Sequence, residues 1–180
     1  SCTTHSSSDL VNHASVPDRT SYILDHTQQS FYPDLLEDIQ QQSLLRPEFM
    51  VMVCNTAHYF YDELQQATTV PLLHMPHVAI NEMATVYPAE HRVGLIATKG
   101  TLADGIYARE IEARGCEVVL GDAQIQDMVM TLIYDNIKQN DHVDAELYHE
   151  ILKQMHDRFG VNVIVLGCTE LSLAQEIAPD

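Results

Sequence analysis

Basic side chains are scarce in this sequence: nine Lys and Arg stand against 26 Asp and Glu in 180 residues, a formal net charge of −17. A surface this acidic repels phosphate backbones and anionic headgroups, so neither nucleic acid nor a membrane is an expected partner. Long apolar runs are missing too, since none approaches the roughly 18 residues that a membrane-spanning helix requires. Residues 1–8 are polar and lack the apolar centre of a secretion signal, so the expected location is cytoplasmic. No phosphate-cradling P-loop and no dinucleotide glycine fingerprint occurs, and no nucleotide cofactor is implied. Cys-x-x-Cys pairs are absent and the ten histidines are scattered, which gives no metal framework. The four cysteines, Cys2, Cys54, Cys116 and Cys168, could make two disulfides. Chain size and the placement of three of them in or beside apolar strands favour free thiols. Cys116 reads as a small buried hydrophobe and Cys2 as a terminal thiol.

What is present is organised around one stretch. Phe49-Met50-Val51-Met52-Val53-Cys54-Asn55-Thr56-Ala57-His58 is an apolar run that ends at a cysteine, and Val161-Asn162-Val163-Ile164-Val165-Leu166-Gly167-Cys168-Thr169-Glu170 repeats its grammar. Each run has the length and β-branched content of a strand covered on both faces, as in a parallel sheet. The cysteine then lies at the strand's carboxyl end, where open α/β sheets bind ligands. The next helix presents free N–H groups and a positive dipole end there, and both lower a thiol's pKa.

Strand and helix alternate along the rest of the chain. Residues 9–14 are expected as a short strand, Val16-Pro17-Asp18 as a turn, and Leu36, Ile39 and Leu44 as marks of a helix leading through Pro47 into the first cysteine strand. A helix is expected from Cys54 to about residue 66, a strand at 70–75, a helix at 76–87 and a strand at 92–97. Thr101, with Asp104 three residues later, reads as a capping-box-like start of a helix that Gly115 closes. Residues 116–120 read as a strand, Ile125 to Ile137 as a helix ending at Lys138, and Leu147 to Phe159 as a helix stopped by Gly160. The alternation implies an α/β fold with parallel sheets flanked by helices. A core of this 46% hydrophobic chain fits one large domain or two small ones. The paired cysteine units suggest the second: two pseudo-symmetric lobes, 1–75 and 76–180, with an active site in the cleft between Cys54 and Cys168.

Five motifs carry a resemblance. Cys54-Asn55-Thr56-Ala57-His58 and Gly167-Cys168-Thr169-Glu170, together with Val16-Pro17-Asp18-Arg19-Thr20, Ala97-Thr98-Lys99-Gly100-Thr101 and Ile133-Tyr134-Asp135-Asn136-Ile137-Lys138, resemble the aspartate racemases of the cofactor-independent aspartate/glutamate racemase superfamily. The resemblance implies interconversion of L- and D-aspartate by two-base proton transfer at the α-carbon, with Cys54 and Cys168 as the acid/base pair. It implies no cofactor, neither pyridoxal phosphate nor metal, and an acidic amino acid as the small-molecule partner. Arg19, Asn55, Thr56, Ala57, Thr98, Thr101, Lys138, Thr169 and Glu170 are implied as substrate-binding. Such proteins open with a strand and a glycine-rich loop and close with a helix beyond the second cysteine. Neither is read in this sequence, so the first lobe is expected to be incomplete, its apolar surface covered by a homodimer partner or by further segments.

The residues themselves allow blander readings. Inverting an α-carbon needs one group to remove a proton and another to return one on the opposite face, and a thiolate with a thiol can do this; each cysteine alone could equally be an inert core residue. Asn55, Thr56, Thr169 and Glu170 can hold a carboxylate or an ammonium, or serve as helix caps. Capping alone would explain Thr101. Arg19 can grip a carboxylate bidentately and Lys138 can act as a point charge, or the first can make a surface ion pair and the second compensate a helix dipole. Cys54 and His58 could share a helix face, either with Cys168 around zinc or as a Cys-His pair for hydrolysis, which leaves the second cysteine unexplained. A glutamate or other amino-acid racemase, an isomerase or decarboxylase acting without an α-amino group, and a non-catalytic amino-acid-binding protein remain as alternatives.

Overall fold

The computed structural model of the chain describes residues 10–13 and 15–180. Cys2 and the ends of the expected opening strand, Asp9 and Ala14, lie outside them, and residues 10–13 have no regular structure. The turn at Val16-Pro17-Asp18 launches a helix that periodicity did not signal. Asp18 accepts the Ser21 N–H at 2.9 Å and so caps α1 (Arg19–Leu24). A second helix, α2 (Tyr32–Ser43), begins with a proline in its first turn, where the missing N–H costs nothing. It leads to β1 (Met50–Val51). Cys54 then caps a 3-10 segment, Asn55–Phe60, that runs on into α3 (Tyr61–Gln66) and β2 (Leu72–Leu73). β1 and β2 pair in parallel, Met50 opposite Leu72. Ile39, Leu64 and Leu72 form a small core beneath them.

The remainder is a three-stranded parallel sheet with helices on both faces. In chain order it comprises α4 (Met75–Val86), β3 (Arg92–Ile96), α5 (Lys99–Asp104), α6 (Ile106–Glu112), β4 (Glu117–Val119), α7 (Ala123–Met130), α8 (Ala145–Phe159), β5 (Val163–Leu166) and α9 (Thr169–Ile177). The strand order is β4-β3-β5. Side chains alternate across β3 as a strand requires. Val93 and Leu95 pack with Ile80, Met83, Tyr107 and Ile111 from α4 and α6, while Ile96 joins Ile125, Leu132, Ile151 and Leu171 on the other side. α7 continues as a π-helical segment, Thr131–Lys138, so the expected single helix changes its winding before it reaches Lys138. No helix of the described residues is long and apolar enough to cross a membrane.

Four expectations are corrected. The first cysteine strand is only two residues long and is not covered on both faces: Phe49, Val51 and Val53 are 51%, 41% and 67% exposed. Among the described residues only β2 pairs with it. β5 is half-buried along its length and, among the described residues, is an edge strand. β3, between its two partners, is the strand that is covered on both faces. The helix read from Thr101 to Gly115 is two helices. Thr98, not Thr101, caps the first by accepting the Thr101 N–H at 3.3 Å, and Gly105, in the left-handed region at φ 68°, ends it. Asp104 then recaps the chain, its Oδ1 accepting the Ile106 N–H at 2.9 Å. Cys116, expected in the core, is half-buried at the start of β4.

Candidate active site

Both cysteines stand at the junction of a strand's carboxyl end and the first turn that follows, Cys54 before the 3-10 segment and Cys168 before α9. The second loop is pinned to the sheet by the Gly167 N–H, which donates to the Ile96 carbonyl at 2.9 Å. Only glycine allows this seat, since a Cβ there would lie 2.8 Å from the Ala97 Cβ. The Gly167 carbonyl in turn accepts from the Asn55 side-chain amide at 2.9 Å, so the two cysteine loops are joined directly. Gly167→Ala is therefore expected to destabilise the protein by about 1–3 kcal/mol through overpacking. Thermal unfolding should show the loss, and Gly167→Ala/Ala97→Gly should recover most of it; no recovery would mean that contact with Ala97 does not set the fit.

Around Cys54 the donors are ordered. Arg19 Nε donates to Thr56 Oγ1 at 3.1 Å, and Thr56 Oγ1 lies 3.3 Å from Cys54 Sγ. The threonine hydroxyl accepts from the guanidinium and still has its hydrogen and a second lone pair, so it can donate to a thiolate or accept from a thiol at Cys54. Arg19 reaches this position because α1 lies hard against α5, where a Cβ on Gly100 would be 2.5 Å from Thr20 Oγ1. Ala57 is buried and its N–H donates to the Cys54 carbonyl at 3.2 Å. His58 is a structural residue. Burial pushes its pKa down and keeps it neutral, Nδ1 lies 2.9 Å from the Cys54 carbonyl, and Nε2 accepts from the Met75 N–H at 3.3 Å. Both nitrogens serve the backbone, so no lone pair is left for the thiol or for zinc.

Around Cys168 the arrangement is acidic. Its thiol donates to Glu170 Oε2 at 2.7 Å, and Thr169 Oγ1 donates to the same oxygen at 3.0 Å. Lys138 Nζ is 3.3 Å from Glu170 Oε1 and stands over the Tyr134 ring at 4.7 Å. Burial, followed by the hydrogen bond to Glu170 and its charge, pushes the Cys168 thiol up to about 12. The N–H groups of Glu170 and Leu171 at the helix start act the other way and are outweighed. The expectation that a helix N-terminus leaves this thiol acidified is thus overturned by burial and a neighbouring carboxylate. Burial works upward on Glu170 as well, but the Cys168 thiol, its own N–H and Lys138 hold its carboxyl below the ordinary value. Replacing Glu170 by Gln removes two of the upward causes, so alkylation of Cys168 should set in at lower pH in Glu170→Gln. An unchanged pH profile, read by mass spectrometry, would assign the shift to burial alone.

Lys138 is accordingly paired with Glu170 rather than isolated. Its charge, like that of Arg19, adds to the hydrogen bonds from Ser21 in holding the Asp18 carboxyl low. Thr98 and Thr101 are buried and satisfy one another, Thr98 Oγ1 donating to Thr101 Oγ1 at 3.2 Å, and neither bonds a cysteine. Sequence reasoning missed Tyr107, whose hydroxyl donates to Asn55 Oδ1 at 2.8 Å. It belongs to an apolar helix stripe and reads as core; the available signal is that a buried tyrosine hydroxyl must find a partner. Its neighbour Asp104 is buried, its pKa pushed up to about 6 by burial, with Oδ2 unpartnered. Two cavities of about 470 and 530 Å³ lie along α8, and neither is lined by a cysteine loop.

Two parallel sheets thus each present a cysteine after a strand, and the Asn55 amide joins the two cysteine loops. Residues 1–180 match the Asp/Glu/Hydantoin racemase family, and the chain belongs to that family. It is 34% identical over 131 residues to the broad specificity amino-acid racemase RacX of Bacillus subtilis, covering 69% of this chain and 53% of that protein. A glutamate racemase of Persephonella marina is 26% identical over 132 residues, covering 71% and 48%. The chain thus spans about half the length of these curated relatives. The solved Picrophilus torridus aspartate racemase superposes with a TM-score of 0.72 at 24% identity, over 91% of this chain and 66% of that one. A Francisella tularensis glutamate racemase gives 0.60 at 18%, over 92% and 58%. At these identities the likeness to the solved structures is one of fold.

Proposed function

We propose that this chain carries the two-thiol site of a cofactor-independent amino-acid racemase, acting on aspartate, with Cys54 and Cys168 on opposite faces of the α-carbon. The observation that supports the reading is the hydrogen bond from the Asn55 amide to the Gly167 carbonyl, which ties the residue after Cys54 to the residue before Cys168 although the two loops follow strands of separate sheets. The environments divide the labour. Cys54, with the Thr56 hydroxyl at 3.3 Å and the Arg19 guanidinium behind that hydroxyl, is assigned the base, and Cys168, held as a thiol against Glu170, the acid. The Cys54 thiolate takes the α-hydrogen, its electron pair stays on carbon, and the Cys168 thiol returns a proton to the other face. The opposite enantiomer runs the same steps backwards. Arg19 and Lys138 offset the substrate's carboxylates in a protein whose net charge of −17 repels them. Asn55, Thr56, Thr169 and Glu170 stand at the loops where its carboxylate and ammonium would lie, with Thr98 and Thr101 ordering the neighbouring turn.

A second reading is favoured by the likeness to RacX, whose name gives it broad specificity: the site accepts neutral as well as acidic amino acids. Deuterium incorporation at the α-carbon in heavy water, followed for both enantiomers of aspartate, glutamate and alanine, separates the two. Fast exchange of aspartate alone supports the first, comparable exchange of all three supports the second, and exchange of none rejects the racemase reading.

A further inference from the structure

We propose that Tyr107 is a positioning residue for the reaction: through Asn55 it locks the Cys54 loop to the Cys168 loop and sets the distance between the two thiols. The inference rests on the racemase reading for its consequence in catalysis, though its structural half stands alone. The orientation of the Asn55 amide follows from its partners. The Gly167 carbonyl is an acceptor only, so at 2.9 Å it must face the Asn55 nitrogen, not its oxygen. The Asn55 oxygen then points to the Tyr107 hydroxyl, which donates at 2.8 Å. One side chain from α6 thereby fixes which way the amide faces, and the amide fixes where the residue before Cys168 lies.

Three further observations make Tyr107 a rigid anchor. Its ring is 5% exposed and packs among Ile80, Met83, Val93, Leu95 and Ile111, so the hydroxyl is delivered by the core itself. Burial, then the charges of Asp104 and Cys168, push its pKa up to about 12, so the hydroxyl keeps its proton and remains a donor. Gly167 is held on its other side by the Ile96 carbonyl, so the Asn55 amide is the second of two tethers on this glycine and its loss leaves the loop on one. Asn55 retains one N–H and one lone pair for a substrate, so bridging and binding are compatible in the same side chain.

Tyr107→Phe deletes the hydroxyl and keeps the ring. The first readout needs no activity: alkylation of Cys168 by iodoacetamide, mapped by mass spectrometry, should quicken several-fold while Cys116, which borders the same core cluster, keeps its rate. Unchanged labelling of Cys168, or equal quickening of both thiols, overturns the lock. The second readout is a cycle with Asn55→Ala. Loss of one hydrogen bond should lower kcat/KM about three- to tenfold in the parent and less than twofold in the Asn55→Ala background. Equal effects in both backgrounds would make Tyr107 merely structural and overturn the proposal. If the parent exchanges no amino acid, the racemase reading fails and the labelling experiment still decides the lock.

Discussion

Cys54→Ala and Cys168→Ala are each expected to abolish racemisation, with a loss of about 10²–10⁴-fold for the proton transfer we assign to each thiol. The two variants should fail differently, and the difference is the sharper test. With Cys168 gone, Cys54 can still remove and return a proton on its own face, so one enantiomer keeps slow exchange of its α-hydrogen without inversion. With Cys54 gone, the residual exchange should belong to the other enantiomer. It should also be the slower of the two, because burial and Glu170 keep the Cys168 thiol near 12. Cys→Ser should be nearly as damaging at either position, since a hydroxyl is a far weaker acid than a thiol. Chiral chromatography measures inversion and mass spectrometry measures exchange in the same samples. Racemisation surviving in either alanine variant would remove the two-base assignment, and residual exchange of the same enantiomer in both would remove the division into opposite faces.

The alternating architecture was legible because its signals are local. β3, α8 and the Gly160 stop follow from apolar periodicity and punctuation, and each is found within a residue or two of its expected place. The covering of the strands was not legible, because burial depends on strand order. Val163 to Leu166 and Val51 to Val53 read as core runs by composition, yet one is an edge strand and the other lies largely exposed in a two-stranded pair. The helix after β3 was misread because two capping signals overlap within seven residues. Thr98 and Thr101 are both competent caps, and only the left-handed turn at Gly105 shows that Asp104 starts a second helix.

At the site, the residue types beside each cysteine could be named from sequence, but their partners could not. Nothing local tells that Lys138 pairs with Glu170 rather than standing alone, since 32 residues separate them. The acidity of Cys168 went the wrong way for the same reason: a helix N-terminus can be read from sequence, while the burial that overrides it cannot. Tyr107 escaped because its ring and its hydroxyl do different things, and periodicity sees only the ring.

Arg19→Ala is expected to cost aspartate turnover about 10- to 100-fold in kcat/KM, the scale of one charge-assisted contact in a partly buried site. The loss should have two parts, because Arg19 has two jobs. Its Nε donates to Thr56 and so orders the hydroxyl that faces Cys54, a role that does not depend on what the substrate's side chain carries. Its terminal nitrogens make no hydrogen bond among the described residues and can reach for a carboxylate. Alanine as substrate reports the first job, and the additional loss on aspartate reports the second. Arg19→Lys should keep part of the charge benefit and lose the fork, so it should fall between the parent and Arg19→Ala on aspartate. The aspartate-specific part should shrink as salt is raised, since a half-buried pair is only partly shielded from screening. An equal loss on both substrates would leave Arg19 acting through Thr56 alone, and the preference for an acidic side chain would then have to rest on Lys138, freed from Glu170 when substrate arrives. No loss on either substrate would return Arg19 to the surface and remove the charge proposed to offset an acidic substrate.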